Sequence, residues 1–222
     1  MKKLILFILF ISLFFACKPK YRACNDLLSA CTGSQNGRFC TFGYKWGEQP
    51  EFSPNGLEVV GPQLPGGVIS FSFHTEIKKV STHQRNNMTT INFDDKGICA
   101  REMTLNALKE WEQYGDFSFQ QLEDNAISDI KFIAAKKVDN NTGNPNYPDE
   151  LCSDISGNVV WDESAIENCH HFFIRNLHEI GHVLGLGHVN NESVMKQGLE
   201  KLEFTGLQSF DIEGIIAIYG EK

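Results

Sequence analysis

The chain has 222 residues, a formal net charge of −8 at pH 7 and an isoelectric point of about 5.4. This acidic balance, without any basic stripe in the sequence, excludes nucleic acid as a partner, because nucleic-acid binding needs a concentrated positive surface. The length is sufficient for one folded domain with a proper core and a short leader.

The N-terminus has the layout of an export signal. Residues 1–3 carry positive charge, and residues 4–15 form an apolar run of twelve residues, which is too short for a transmembrane helix and typical of a signal-peptide core. Cys17 directly follows a small residue at the end of this run, as in a bacterial lipoprotein signal, although Phe14 stands where leucine is usual. We predict a signal peptide over residues 1–16, lipidation of Cys17, and a place at the cell surface or outer membrane; the alternative is full secretion.

The rest of the chain divides into a leader and one domain. Residues 17–65 are rich in Cys, Gly, Pro and Asn and lack sustained periodicity, so we interpret them as a cysteine-containing tether or pro-segment. Residues 66–222 form the predicted globular domain. The predicted elements are, in chain order, a strand over residues 68–73, a helix over 97–114 with Leu105, Leu108 and Trp111 on one face, a strand over 127–134 and a short strand over 159–161.

Cysteine usage agrees with an exported chain. If Cys17 carries lipid, six cysteines remain: Cys24, Cys31, Cys40, Cys99, Cys152 and Cys169. An even six predicts three disulfides, with fifteen possible pairings, although some thiols could stay free. Cys152 and Cys169 flank the segment before a histidine-rich stretch, and we predict one bridge between them.

The histidine-rich stretch, residues 178–188, reads His-Glu-Ile-Gly-His-Val-Leu-Gly-Leu-Gly-His. His178 and His182 are four residues apart, so on a helix they lie one turn apart on the same face and can hold one zinc ion. Gly185 can end the helix in a left-handed conformation and bring His188 to the same metal. Glu179 can reach a water on the metal without occupying a ligand position.

Three protein ligands with an open fourth position are typical of a catalytic zinc site and not of a closed structural one. The competing interpretation is a helix with incidental histidines. His-Glu-x-x-His alone is a moderate signal, and the glycine and third histidine at fixed offsets make coincidence a poor explanation. The sequence therefore predicts a zinc hydrolase.

This pattern resembles that of the metzincins, zinc peptidases with H-E-x-x-H-x-x-G-x-x-H followed by a methionine-containing turn. Met195, a few residues after His188, resembles the turn methionine. The resemblance implies that Met195 is a hydrophobic floor under the histidines and not a ligand.

Residues 210–220 are similar to the closing helix of the matrixins, the matrix-metalloproteinase family of metzincins. Asp211 matches the family's second aspartate, which implies that it braces the methionine turn. The resemblance covers roughly residues 66–220 and implies an α/β (α+β) catalytic domain. Its expected parts are a twisted, mostly parallel sheet of about five strands, three helices, and a zinc cleft between a larger N-terminal and a smaller C-terminal subdomain.

The chain also departs from the family pattern. Val189 replaces a small polar residue after the third histidine, and Phe210 replaces the first aspartate of the closing helix. Residues 196–200 differ from the family's specificity-pocket wall, so subsite preference cannot be carried over. The family's loop for a second, structural zinc, with its own spaced histidines, has no clear counterpart in this sequence. We therefore predict one zinc. Matrixins are often kept inactive by a propeptide cysteine that binds the zinc. The sequence around Cys40 matches that propeptide motif poorly.

The resemblance implies a metalloendopeptidase in which zinc activates water and Glu179 is the general base. We expect the protein to be a monomer. Protein or peptide substrates would bind in extended form at a sheet edge. Two other classes stay open: a zinc-binding adhesin without catalysis, and an inhibitor or immunity-type binding protein. An oxygen-rich stretch at residues 139–144, near Asp149 and Asp154, could bind calcium or be a solvated turn.

Overall fold

The computed structural model describes residues 37–41, 67–82, 85–96, 98–136, 157–166, 168–197 and 204–222. Several predictions lie outside these ranges: the signal peptide, Cys17, most of the tether, Cys152, and the oxygen-rich stretch with its two aspartates. In the described part of the chain, no helix is long and apolar enough to cross a membrane.

The described residues contain one six-stranded sheet. Its strands are β1 (Gly67–Phe73), β2 (Lys79–Thr82), β3 (Arg85–Ile91), β4 (Phe117–Gln121), β5 (Ile130–Lys136) and β6 (Gly157–Asp162). Parallel pairing runs in the order β4, β1, β5, β6. The β2–β3 hairpin adds to the second half of β5 in the antiparallel sense. The mostly parallel sheet is therefore as expected, and the hairpin raises its strand number above the expected five.

Strand β5 is the centre of the sheet because its sequence suits burial on both faces. It pairs with β6 along one edge, and with β1 and then β3 along the other. Five of its seven residues are buried, the near-continuous apolar pattern expected of a central parallel strand. Residues 127–129 do not extend this strand as predicted: Asp129 instead accepts a hydrogen bond from the Ser70 backbone N–H at 2.8 Å.

Three helices complete the described fold: α1 (Ile98–Glu112), α2 (Cys169–Val183) and α3 (Ser209–Tyr219). Helices α1 and α2 pack side by side, and the buried Trp111 Nε1–H donates to the Leu177 carbonyl at 3.0 Å. The predicted helix over residues 97–114 and the predicted strands over 68–73 and 159–161 correspond to α1, β1 and β6. The mixed α/β architecture with three helices is confirmed.

The predicted Cys152–Cys169 bridge is wrong. Cys169 is instead joined to Cys99, with their Cα atoms 5.4 Å apart and 70 residues between them in the chain. The reason is the packing of α1 on α2, which brings the first turns of the two helices together. Cys40 is also disulfide-bonded, so its sulfur is not available as a thiolate ligand for a metal.

The core between sheet and helices is dominated by phenylalanine rings. Phe71 and Phe73 alternate with Ser70 and Ser72 along β1, so one face of the strand is buried and apolar while the other hydrogen-bonds the chain before β5. The Phe73 and Phe132 ring centroids lie 5.5 Å apart. Burying each such ring stabilises the fold by about 1.5–3 kcal/mol. This core supports α2, which carries the histidine-rich stretch.

Candidate metal centre

Helix α2 carries two of the three histidines. It ends just before the turn that brings the third histidine back towards them. Its N-cap is Asn168, whose side-chain oxygen accepts the His171 backbone N–H at 3.0 Å. After the C-cap Leu184, Gly185 has a φ of 107°, a left-handed conformation that side chains rarely adopt. This turn redirects the chain so that His188 reaches the imidazoles of the helix.

The three imidazoles converge through their Nε2 atoms. His182 Nε2 lies 3.0 Å from His178 Nε2 and 3.2 Å from His188 Nε2. Zinc–nitrogen bonds of about 2.0–2.1 Å at tetrahedral angles separate ligand nitrogens by roughly 3.3 Å. These two separations fit a tetrahedral zinc ion, and the ligand atoms of all three histidines lie within 4.8 Å of one another.

The hydrogen bonds of two rings fix which nitrogen carries the proton. His178 Nδ1 lies 2.6 Å from the Val194 carbonyl, and His182 Nδ1 lies 2.7 Å from the Leu186 carbonyl. A carbonyl only accepts, so each Nδ1 donates and each Nε2 keeps a lone pair. Two lone pairs that face each other at 3.0 Å repel, and a cation between them removes the repulsion. The residues present fit zinc.

Burial keeps the rings in the neutral form that binds metal. The pKa of His178 is lowered to about 4, chiefly by desolvation; the hydrogen bond to Val194 opposes this shift, and the neighbouring His188 adds to it. Desolvation also lowers the pKa values of His182 and His188. All three imidazoles are therefore neutral at pH 7, the form that can bind a metal.

Glu179 follows His178 directly on α2. Glu179 and His178 each expose 9% of their surface, while His182 exposes 1%. His188 is partly exposed as well. The site is therefore most deeply buried at His182 and most exposed at His188.

Met195 lies directly beneath α2. An ideal Cβ built on Gly181 would overlap the Met195 sulfur and lie 3.0 Å from Trp111 Cζ2. Only glycine at this position lets the methionine approach the helix backbone one residue before His182. Met195 is 2% exposed and forms an apolar support under the histidine pair.

Asp211 holds the turn that precedes Met195. Its buried carboxylate accepts the Val194 N–H at 3.0 Å, the Gln208 N–H at 2.8 Å and the Ser193 hydroxyl. Burial raises the pKa of Asp211, and these hydrogen bonds oppose that shift. Because the Val194 carbonyl orients His178, the carboxylate acts on the first histidine through the turn.

Sequence reasoning missed the backbone contacts that hold the loop between α2 and His188. Gly187 N–H donates to the Cys40 carbonyl at 2.8 Å, and Thr41 forms an antiparallel bridge with Leu186. The Leu186 carbonyl is the acceptor that orients His182. Backbone carbonyls carry no sequence signal, and nothing in the predicted tether indicated that it would pair here.

Comparison with known proteins assigns the family. Residues 83–220 match the family model of the matrixins, peptidase family M10. The match spans more than half of the chain. The chain matches none of the curated proteins with which it was compared. The family model, together with three histidines whose nitrogens are spaced for zinc, shows that the chain belongs to the matrixin family of zinc metallopeptidases.

Proposed function

We propose that this protein is a metalloendopeptidase that cleaves extracellular proteins, with one zinc held by His178, His182 and His188 and with Glu179 as general base. The observation that carries the proposal is the meeting of the three Nε2 atoms at 3.0 and 3.2 Å. In His178 and His182 the proton is held on Nδ1 by a backbone carbonyl, so each Nε2 has a lone pair. These lone pairs point towards a common metal position.

The chemistry divides between the metal and the carboxylate. Zinc, when bound, lowers the pKa of water towards about 7 and polarises the scissile carbonyl. The Glu179 carboxylate accepts a proton from the attacking water and later donates it to the leaving amine. Three neutral ligands leave the full charge of the metal available to activate the water and polarise the carbonyl. The Asp211 carboxylate does not serve as a ligand, because its hydrogen bonds hold it at the turn.

An extended peptide is the proposed substrate form. Strand β6 pairs with β5 along one edge, and among the described residues no strand pairs with its other edge. A peptide chain can add to such an edge through main-chain hydrogen bonds, with alternate side chains in pockets. This mode of binding favours cleavage within a chain over removal of single terminal residues.

The first test is zinc-dependent cleavage of an unfolded protein. We expect one zinc per chain, internal cleavage products by mass spectrometry, loss of cleavage after chelation, and recovery on addition of zinc. A hydroxamate should block cleavage, and its matched carboxylic acid should block it more weakly. One zinc per chain without any cleavage of unfolded protein would contradict the proposal and favour a zinc-binding adhesin.

Export and lipid anchoring remain part of the proposal. The charged N-terminus, the short apolar run and Cys17 support a lipid-anchored protein at the cell surface or outer membrane, whose substrates are extracellular proteins. Labelling with a fatty-acid analogue should mark the wild-type protein and not Cys17→Ala. Unlabelled wild-type protein in the medium would favour full secretion.

A further inference from the structure

A short part of the predicted tether, residues 37–41, lies against the loop that carries the third histidine; we call it the clamp segment. The Gly187 backbone N–H donates to the Cys40 carbonyl at 2.8 Å. Thr41 and Leu186 form an antiparallel bridge. The clamp segment therefore lies beside the loop and is joined to it through the backbone at an isolated bridge.

The paired loop residues are the ones that set the imidazoles. The Leu186 carbonyl accepts from His182 Nδ1 at 2.7 Å, and the Leu186 N–H donates to the Gly181 carbonyl at 2.9 Å. Gly187 directly precedes His188. A shift of this loop would move the hydrogen-bond acceptor of one ligand and the backbone of another.

A second set of contacts attaches the clamp segment further along. The Asn191 side-chain amide donates to the carbonyls of Gly37, at 3.0 Å, and Arg38, at 2.7 Å. Arg38 forms an ion pair with Glu213 on α3, and its guanidinium lies over the Phe210 ring, 5.1 Å from the centroid. Phe210, where the family has an aspartate, thus provides a surface for the arginine.

The last three residues of the clamp segment are buried like core residues. Cys40 and Thr41 are each 1% exposed and Phe39 is 7% exposed. An ideal Cβ on Gly214 of α3 would lie 3.1 Å from Phe39 Cβ and 2.8 Å from Leu186 Cδ2. The clamp segment, the loop and α3 therefore meet at one point that has no room for a methyl group.

We propose that residues 37–41 are a permanent positioning element of the metal centre, which holds the Leu186–Gly187 backbone and through it the imidazoles of His182 and His188. The active enzyme keeps this segment, so activation does not proceed by its removal. The proposal rests on the proposed zinc site, and it replaces the interpretation of these five residues as part of a pro-segment that is removed. Removal would take Arg38 away from the Phe210 ring and leave the Gly187 N–H without the Cys40 carbonyl that accepts its hydrogen bond.

The test is the zinc affinity of folded variants, measured by competition with a chelator. Gly214→Ala drives a methyl group between the clamp segment and the loop. Gly206→Ala is the matched control, because its Cβ would meet the Glu110 side chain, which accepts the Leu207 N–H, and no atom of the clamp segment or the loop. We expect Gly214→Ala to weaken zinc binding about ten- to a hundredfold, the range typical for residues that orient metal ligands, and Gly206→Ala to leave it unchanged.

A purely structural role predicts a different result. It would lower the unfolding midpoint of the zinc-free protein without changing zinc affinity or the visible spectrum of the cobalt-substituted site. If Gly214→Ala does not fold, Asn191→Ala removes only the two side-chain bonds and serves instead, with the exposed Asn106→Ala as its control. Unchanged affinity and an unchanged cobalt spectrum in the folded variant would overturn the proposal.

The N-terminus of the active species gives an independent test. Mass spectrometry of protein captured on an immobilised hydroxamate should find residues 37–41 in every active molecule, and a fully active species without them would contradict the proposal. The zinc-affinity measurements do not require cleavage. Failure of the proposed peptidase activity and failure of the clamp segment as a positioning element are therefore distinguishable.

Discussion

Removal of the Asp211 carboxylate should cost both stability and zinc affinity. The carboxyl group is 1% exposed and accepts from the backbone N–H groups of Val194 and Gln208 and from the Ser193 hydroxyl. In Asp211→Ala the two N–H groups lose their acceptor, at about 1–3 kcal/mol each, while the hydroxyl can rotate to another partner. We expect a loss of about 2–6 kcal/mol in the free energy of unfolding.

The effect on zinc follows from the Val194 carbonyl. This carbonyl accepts from His178 Nδ1 at 2.6 Å, and its backbone position is held by Asp211. Loosening such a group typically weakens metal binding about ten- to a hundredfold. Asp211→Asn keeps one oxygen for both N–H groups, so it should recover the larger part of both losses.

Urea unfolding in the presence of a chelator measures the first effect, and zinc competition on the folded proteins measures the second. Asp95→Ala is the control and should change neither, because Asp95 is exposed in a short 3-10 helix, Phe93–Lys96, that follows β3. A loss below about 0.5 kcal/mol in Asp211→Ala, the range of ordinary surface substitutions, would refute the reasoning. An asparagine variant as damaged as the alanine variant would refute it too.

Other predictions follow from the same contacts. Gly181→Ala should lower the free energy of unfolding by about 1–3 kcal/mol and weaken zinc binding, because its methyl group overlaps the Met195 sulfur; a change within 0.5 kcal/mol of zero would contradict this. Trp111→Phe removes the bond to the Leu177 carbonyl and some packing volume, so chelated protein should lose about 1–3 kcal/mol in urea unfolding. The raised pKa of Asp211 means that the folded state holds its proton more tightly than the unfolded chain, whose ordinary value is 3.8. The stability of zinc-free wild type relative to Asp211→Asn should therefore be fully present below that value and fall as the pH rises through the raised pKa; a relative stability that grows with pH would contradict the sign.

The clustering of the three histidines could be predicted from the sequence because it is local. His178 and His182 share a helix face through the period of the helix, and Gly185 marks the turn that brings His188 back. These relations depend on eleven consecutive residues. The support from Asp211 required the resemblance to the matrixins, since no local pattern connects it to the turn before Met195.

The parts that sequence reasoning missed depend on tertiary packing. The Cys99–Cys169 bridge exists because α1 lies against α2 over a separation of 70 residues, while Cys152 was favoured only by closeness in the chain. The β2–β3 hairpin has a polar sequence whose pairing is set by the edge of β5. The clamp segment lacks periodicity, and its place is decided by the loop and helix that it contacts.

The cleavage rate of an unfolded protein by wild type and by Glu179→Ala, each carrying one zinc per chain, tests the central claim most directly. General acid–base catalysis contributes about 10²–10⁴-fold, so the account predicts a loss of that size with zinc content unchanged. The exposed Glu192→Ala, near the same loop, should cleave like the wild type. A Glu179→Ala enzyme that cleaves at the wild-type rate with its zinc in place would contradict the account.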